Sequence, residues 1–203
     1  MKALDNLIIV VAGASQTGKT HWVKKQTQKA RSFLAWDPEE QYQGQRIRTK
    51  SALIAALKNG KPGRFCFSPA GNIKENADFW AQCAFLWVRM NKNHCHIVAE
   101  ETSDWTSPGK APNGWGMLVR RGLKRGCTIY AISQRPSESD KTAIGNASII
   151  HCHRLSRAKD RKYMADEMDI SAEQMSLTGY DYIEKDMRTG KIKGTQKPRK
   201  SVT

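Results

Sequence analysis

The stretch that decides the fold is LIIVVAGASQTGKT, Leu7 to Thr20. Its apolar, β-branched first half reads as a strand buried on both faces, the pattern of a parallel sheet. Gly13-x-x-x-x-Gly18-Lys19-Thr20 is a complete Walker A phosphate loop. Its glycines let the backbone turn tightly, so the amides of Gly13, Ala14, Ser15, Gln16, Thr17 and Gly18 can point at phosphate oxygens. A helix opening near Lys19 adds its positive dipole end. In that arrangement Lys19 reaches the β- and γ-phosphates of ATP, and the Thr20 hydroxyl ligates Mg²⁺.

Working outward, apolar β-rich runs alternate with helical patterns, the signature of an α/β fold with a mainly parallel central sheet flanked by helices. Strands are expected at Leu7–Ala12, Ser32–Trp36, Arg64–Ser68, His96–Ala99, Thr128–Ser133 and Ile149–Leu155. Helices are expected at Lys19–Ala30, Ser51–Asn59, Glu75–Asn91, Trp115–Arg125 and Ala158–Met168. YDYIEKDMRTGKIKGT alternates around RTGK and reads as a C-terminal β-hairpin. This gives one domain over residues 1–187, then the end of the hairpin and a flexible basic tail over 188–203. Polar residues of the helix from Glu75 (Glu75, Asp78, Gln82, Arg89) fall within an arc of roughly 60°. So wide an apolar face needs either other helices or a second subunit to cover it.

The 203 residues carry 34 Lys+Arg against 19 Asp+Glu, a net charge of +15. An enzyme of small substrates has no need of that excess. It points to a polyanion, nucleic acid before an acidic membrane surface, unless the basic surface is simply uninvolved. Five widely spaced cysteines without a CxxC read as free thiols of a reducing compartment. MKALDNLIIVVAGA superficially resembles a signal peptide, but Asp5 and Asn6 interrupt it and the apolar run enters the loop directly. No run is long enough to span a bilayer, so the expectation is a soluble cytosolic protein.

Two further strand ends carry chemistry. HIVAEE, His96 to Glu101, ends in adjacent carboxylates, which strand alternation should splay apart. A hydrolytic phosphate-loop enzyme needs one carboxylate in the Mg²⁺ shell (Glu100) and one polarising a water against the γ-phosphate (Glu101). CTIYAISQRPS, Cys127 to Ser137, ends in Gln134. If its strand lies between the phosphate-loop strand and the acidic strand, Gln134 reaches the γ-phosphate region, where it can hold the attacking water or sense hydrolysis.

Together with RRGLKRGCTIYAISQRPS and ASIIHCHRLSRAKDRKYM, these motifs closely resemble the FtsK–HerA superfamily of ring-forming, DNA-pumping P-loop ATPases. The small size and AWDPEEQY look most like its viral branch: genome-packaging ATPases of membrane-containing icosahedral viruses and related Zot-like phage assembly ATPases. The resemblance covers most of Leu7 to Met168 and departs from the usual pattern at Glu100, where Asp is commoner. It implies a RecA-like (ASCE) fold, ATP and Mg²⁺ between neighbouring subunits of a hexameric ring, and DNA in the pore without sequence preference. It places the protein in the cytoplasm of an infected host cell, or at the capsid vertex with vertex proteins as partners. Such a ring needs an arginine donated across the interface, from Arg120, Arg121, Arg125, Arg154 or Arg157, with Arg121 on the basic helix the expected donor.

Other readings compete. HCH occurs at His94–His96 and His151–His153, but the family's strand order puts two strands between them, about 14 Å, too far for one zinc ion. Asp37 either starts a turn or approaches the nucleotide. Trp105, Lys110 and Trp115 suit either a DNA-gripping pore loop or a plain connector. LSRAKDRK has the arginine pattern of a kinase lid, against which Glu100–Glu101 and SQRP argue. A DNA-binding module that binds nucleotide without hydrolysis is the alternative from another class, and Zot-like DNA export the close relative. The lack of a membrane span after Met168 favours packaging into a preformed capsid over export.

Overall fold

Among the described residues seven of the nine strands run parallel, joined by crossovers, and only the last two add on by antiparallel pairing, the final one after a tight turn. The computed structural model describes residues 6–195. The first residues and the end of the basic tail, with Lys197, Arg199 and Lys200, lie outside the described residues, as does the side chain of Arg125. The strands are β1 (Leu7–Ala12), β2 (Ser32–Trp36), β3 (Gln45–Ile47), β4 (Arg64–Phe67), β5 (Cys95–Ala99), β6 (Cys127–Ser133), β7 (Ile149–His153), β8 (Tyr182–Asp186) and β9 (Ile192–Gly194). Their order across the sheet is β3-β4-β2-β5-β6-β1-β7-β8-β9. Thus β6 does lie between the phosphate-loop strand and the acidic strand, and two strands do separate the HCH segments.

The helices are α1 (Lys19–Thr27), α2 (Lys50–Leu57), α3 (Ile73–Met90), α4 (Thr102–Trp105), α5 (Asn113–Arg121), α6 (Lys141–Gly145) and α7 (Ala158–Met168). The long α3 is covered largely by its own chain, since α2 and α5 pack along it and Trp80 and Trp87 lie against Trp36 and Phe65 of the sheet, while Leu86 and Met90 stay exposed. Part of its polar arc is internal too. The Asp78 carboxylate accepts from the Gly114 amide (2.7 Å) and caps the start of α5. No room exists there for a side chain, because a Cβ on Gly114 would come within 2.3 Å of the Asp78 carbonyl oxygen.

The sheet is covered unequally. The larger core gathers Ile8, Val10, Leu34, Trp36, Ile97 and Ile129 under α2, α3 and α5, with Met164 and Met168 from α7. The smaller core, Ile9, Val11, Phe33, Val98 and Ile132, receives Val23 of α1. This asymmetry explains both HCH motifs. Alternation sends Cys95 and Cys152 into the larger core. The histidines face the thinner side, where His151 stacks on Trp22 with ring centroids 4.0 Å apart. All five cysteines are free.

The stretch read as a connector or pore loop is corrected at its tryptophans. Trp105 and Trp115 are fully buried, edge to face at 5.2 Å, and their indole N–H groups donate to the Glu100 carbonyl (3.0 Å) and the Asp140 carboxylate (2.8 Å). Its tip, residues 107–110 with Lys110, is exposed. The last parallel strand ends at His153 rather than Leu155, because the Arg154 carbonyl turns to accept the Ala14 amide at 2.8 Å.

Candidate functional site

The phosphate loop emerges from β1 and is fastened on both sides. The Gly13 amide donates to Ser133 at the end of β6 (3.3 Å), and the Ala14 amide to Arg154 beyond β7 (2.8 Å). Those two amides are spent on neighbouring strands, so Gly13 and Ala14 support the loop while Ser15 to Thr20 line the cavity above it. Gly13 is needed for space, since a Cβ there would lie 2.7 Å from His153 Cβ. Gln16 and Gly18 adopt left-handed conformations, at φ 59° and 101°, which turn the loop into the first turn of α1.

The cavity holds about 490 Å³ and is lined by the loop, Glu39, Gln41, Glu101, Gln134 and Tyr180. Lys19 is buried, and its ammonium donates to the Ala14 carbonyl at 2.9 Å. Burial pulls its pKa down, opposed by the fields of Glu101, Glu100 and Glu39. A desolvated ammonium of this kind acts on a phosphate more strongly than a hydrated one.

Glu101 and Gln134 meet directly. The Gln134 backbone amide donates to Glu101 Oε2 (3.1 Å) and its side-chain amide to Glu101 Oε1 (2.8 Å). Glu101 stands in the left-handed region at φ 42°, ψ 60°, strained for a side chain of its size. The adjacent carboxylates therefore diverge, but the cause is this backbone turn beyond the end of β5 and not strand alternation. Thr102 fixes the turn by donating to the Ile132 carbonyl at 3.2 Å.

Glu100 points elsewhere. It is buried off the cavity wall, and its Oε1 accepts from the Tyr42 hydroxyl at 2.5 Å. Burial pushes its carboxyl up to about 7, partly countered by Tyr42. Asp37 proves to be the turn former. Its carboxylate accepts from the amides of Gln41 (2.7 Å) and Tyr42 (3.0 Å) and pairs with Arg46 (2.6 Å). Asp37 thereby sets Tyr42 against Glu100, and Tyr42, the site residue that motif reading passes over, has no signal beyond its place five residues after Asp37. Thr20 and Glu100 supply the hard oxygen donors that Mg²⁺ prefers, and a carboxylate with its pKa raised by burial is one short of positive charge. The donor chemistry fits the ion, with Glu100 turned onto Tyr42 and off the cavity wall in this structure.

No described arginine lines the cavity. Arg157 pairs with Glu138 (2.5 Å) and Asp160 (3.5 Å), Arg120 folds over Gly116, and Arg154 lies half-buried beside the loop. Arg121 is exposed at the C-terminal end of α5, which runs back from the cavity edge of the sheet towards the start of β6. It does not line the cavity of its own chain. Among the described residues no group of three or more His, Cys, Asp and Glu could hold a metal ion, and no helix is long and apolar enough to cross a membrane.

No family model matches the chain. Protein P9 of Pseudoalteromonas phage PM2 is 30% identical to it over 174 residues, which are 85% of this chain and 79% of P9. The genome-packaging NTPase B204 of Sulfolobus turreted icosahedral virus 2, solved with ATP-gammaS, superposes with a TM-score of 0.76 over 98% of this chain and 99% of B204, at 15% identity. The N-terminal domain of zonular occludens toxin from Neisseria meningitidis gives a TM-score of 0.51 over 96% of this chain and 95% of that one, at 10% identity.

Proposed function

Because the chain belongs to the viral genome-packaging branch of the FtsK–HerA ATPases, with protein P9 of phage PM2 as its relative, we propose that it hydrolyses ATP to drive viral DNA into a preformed capsid. The observation that carries this reading is the Glu101–Gln134 pair, which shares one cavity wall with Lys19. Lys19 and the loop amides bind the β- and γ-phosphates. Glu101 takes a proton from the attacking water, and Gln134 holds that water in line with the γ-phosphate. Since Gln134 donates to both oxygens of Glu101, protonation of that carboxylate weakens what Gln134 can donate to and passes the event to β6. Thr20 and Glu100 would hold Mg²⁺, which neutralises charge developing between the β- and γ-phosphates.

The site is incomplete within one chain. Three carboxylates, Glu39, Glu100 and Glu101, act on Lys19, and the described wall offers no arginine to the transferring phosphoryl group. A neighbouring subunit's Arg121, presented across a hexameric ring, supplies that charge. The net charge of +15 favours a salt-dependent grip on the DNA backbone without reading of sequence, with the basic tail adding to it or meeting the capsid vertex. The working place is the cytoplasm of the infected cell or the virion vertex.

The test is Glu101→Gln. Phosphate release with Mg-ATP and duplex DNA should fall at least a thousandfold while ATP binding persists. Wild-type protein that binds ATP but shows no turnover to lose, with DNA present, would refute hydrolysis and leave a nucleotide-responsive binding module.

A further inference from the structure

Tyr180 is the one aromatic side chain on the cavity wall besides the imidazole of His21, and it is 76% exposed. It stands at the crest of a turn just before β8. The Asp181 amide donates to the Thr178 carbonyl (2.9 Å), Gly179 takes φ 51°, and the Asp181 carboxylate accepts from Thr178 (3.0 Å) and from Thr195 beyond β9 (2.9 Å). The turn is thus held from both sides while its crest residue is left in solvent. The ring leans over the phosphate loop, with Cδ1 3.6 Å from where a Cβ on Gly18 would stand. An aromatic ring held open to water at the mouth of a polar cavity is a surface waiting for a flat apolar partner.

The strand order says which part of the ligand that partner is. Along the cavity edge come Glu101 after β5, Gln134 after β6, the phosphate loop after β1, His153 at the end of β7, and Tyr180 ahead of β8. The proposed hydrolytic pair fixes the γ-phosphate at the β5–β6 end. The rest of a nucleoside triphosphate then runs over the loop in the opposite direction, and its base arrives at the β8 end. We propose that Tyr180 is the stacking platform for the nucleotide base. The inference rests on the proposed ATPase reading, since that reading sets the direction of the phosphate chain. A phenol ring stacks on any base, so the platform binds purine nucleotides by their faces and discriminates little between ATP and GTP. It also joins nucleotide occupancy to the β8–β9 hairpin, because the same Asp181 that holds the turn is bonded to Thr195.

The experiment is equilibrium binding of Mg-ATP, Mg-GTP and inorganic tripolyphosphate to the full chain and its variants. Tyr180→Ala should weaken ATP and GTP roughly tenfold and leave tripolyphosphate unchanged, because only the base loses its partner. Tyr180→Phe and Tyr180→Trp should stay within about twofold of wild type for all three ligands. Lys19→Ala should lose nucleotides and tripolyphosphate together. Tyr180→Ala that binds ATP as wild type does, or that loses tripolyphosphate in equal measure, overturns the platform while leaving the ATPase reading intact. So does Tyr180→Phe behaving like Tyr180→Ala, which would put the interaction in the hydroxyl. Wild-type protein that binds neither nucleotide nor tripolyphosphate overturns both readings.

Discussion

The phosphate loop has two flanks of different construction. On the β5–β6 flank, Glu100, Glu101 and Gln134 follow directly on apolar strands, and each is bonded to a neighbour within the site. On the β7–β8 flank, His153 ends a strand that lies parallel to β1, whereas Tyr180 precedes the antiparallel β8 and stands 76% exposed. The first flank is placed by short motifs, the second by assembly of the C-terminal strands. Chemistry at a γ-phosphate needs acids and amides at fixed angles, which turn residues after parallel strands supply. Holding a base needs only a flat surface at the right distance.

The largest effect expected bears on the first flank. Glu101→Gln should cost a thousandfold or more in turnover and Gln134→Ala about a hundredfold. The double variant should be no slower than Glu101→Gln alone, because residues that act as one unit lose their function once. Phosphate release at saturating ATP and DNA measures this, and multiplicative losses would show that the bond between the two side chains carries no catalytic meaning.

The next prediction breaks the flanks apart at their seam. Gly13→Ala sets a methyl group 2.7 Å from His153 Cβ and 2.8 Å from the Thr17 hydroxyl, at a φ of +157° that L residues rarely adopt. The expected loss is about 3 kcal/mol of stability, roughly 6–12 °C in Tm, with nucleotide binding lost as the loop shifts. A thermal melt with and without ATP reads both. An unchanged melt would mean that the β7 flank is not pressed against the loop.

How much of this was legible follows from the same contrast. LIIVVAGASQTGKT, HIVAEE and CTIYAISQRPS each carry strand, turn and chemistry within a dozen or so residues, so the parallel order and the convergence of Lys19, Glu101 and Gln134 could be read from them. The short β3, α4 and α6 were missed because their patterns are too brief to show a period. Trp105 and Trp115 looked like loop aromatics because what buries them is each other and the distant Asp140. Tyr42 and Tyr180 gave no signal because their partners, Glu100 and the Gly18 turn, are remote in sequence.

A smaller effect tests the second flank by pH. Burial holds His153 down to about 4 and, on the same face of the sheet, His96 to about 4. Unfolding returns each toward its ordinary value near 6.5, so the unfolded chain binds more protons between pH 6.5 and 4. Their contribution is complete above pH 6.5 and drains as the pH falls toward 4, by roughly 1–2 kcal/mol for each after allowance for partial exposure. Glu100 works in the opposite sense, since its carboxyl, pushed up to about 7, takes its proton first in the folded chain. The difference between wild type and His153→Gln isolates the histidine. Between pH 7 and 4.5 the variant should lose less Tm than wild type, and parallel curves would show that His153 is not held neutral.

The subtlest prediction asks whether the first flank extends beyond its motifs. Tyr42→Phe removes one hydroxyl and keeps the ring against Phe33, 5.6 Å away. If Tyr42 only fills space, the variant loses about 1 kcal/mol of stability and turns over as before. If it orients Glu100 toward Mg²⁺, turnover falls about tenfold and the Mg²⁺ concentration for half-maximal rate rises by a similar factor, while ATP binding at saturating Mg²⁺ holds. The second outcome is expected, because Asp37 spends its carboxylate on two amides and Arg46 to hold the segment that carries Tyr42, far more anchoring than a surface turn requires. A Mg²⁺ dependence that stays put would return Tyr42 to the core and leave the β5–β6 flank to its three motif residues.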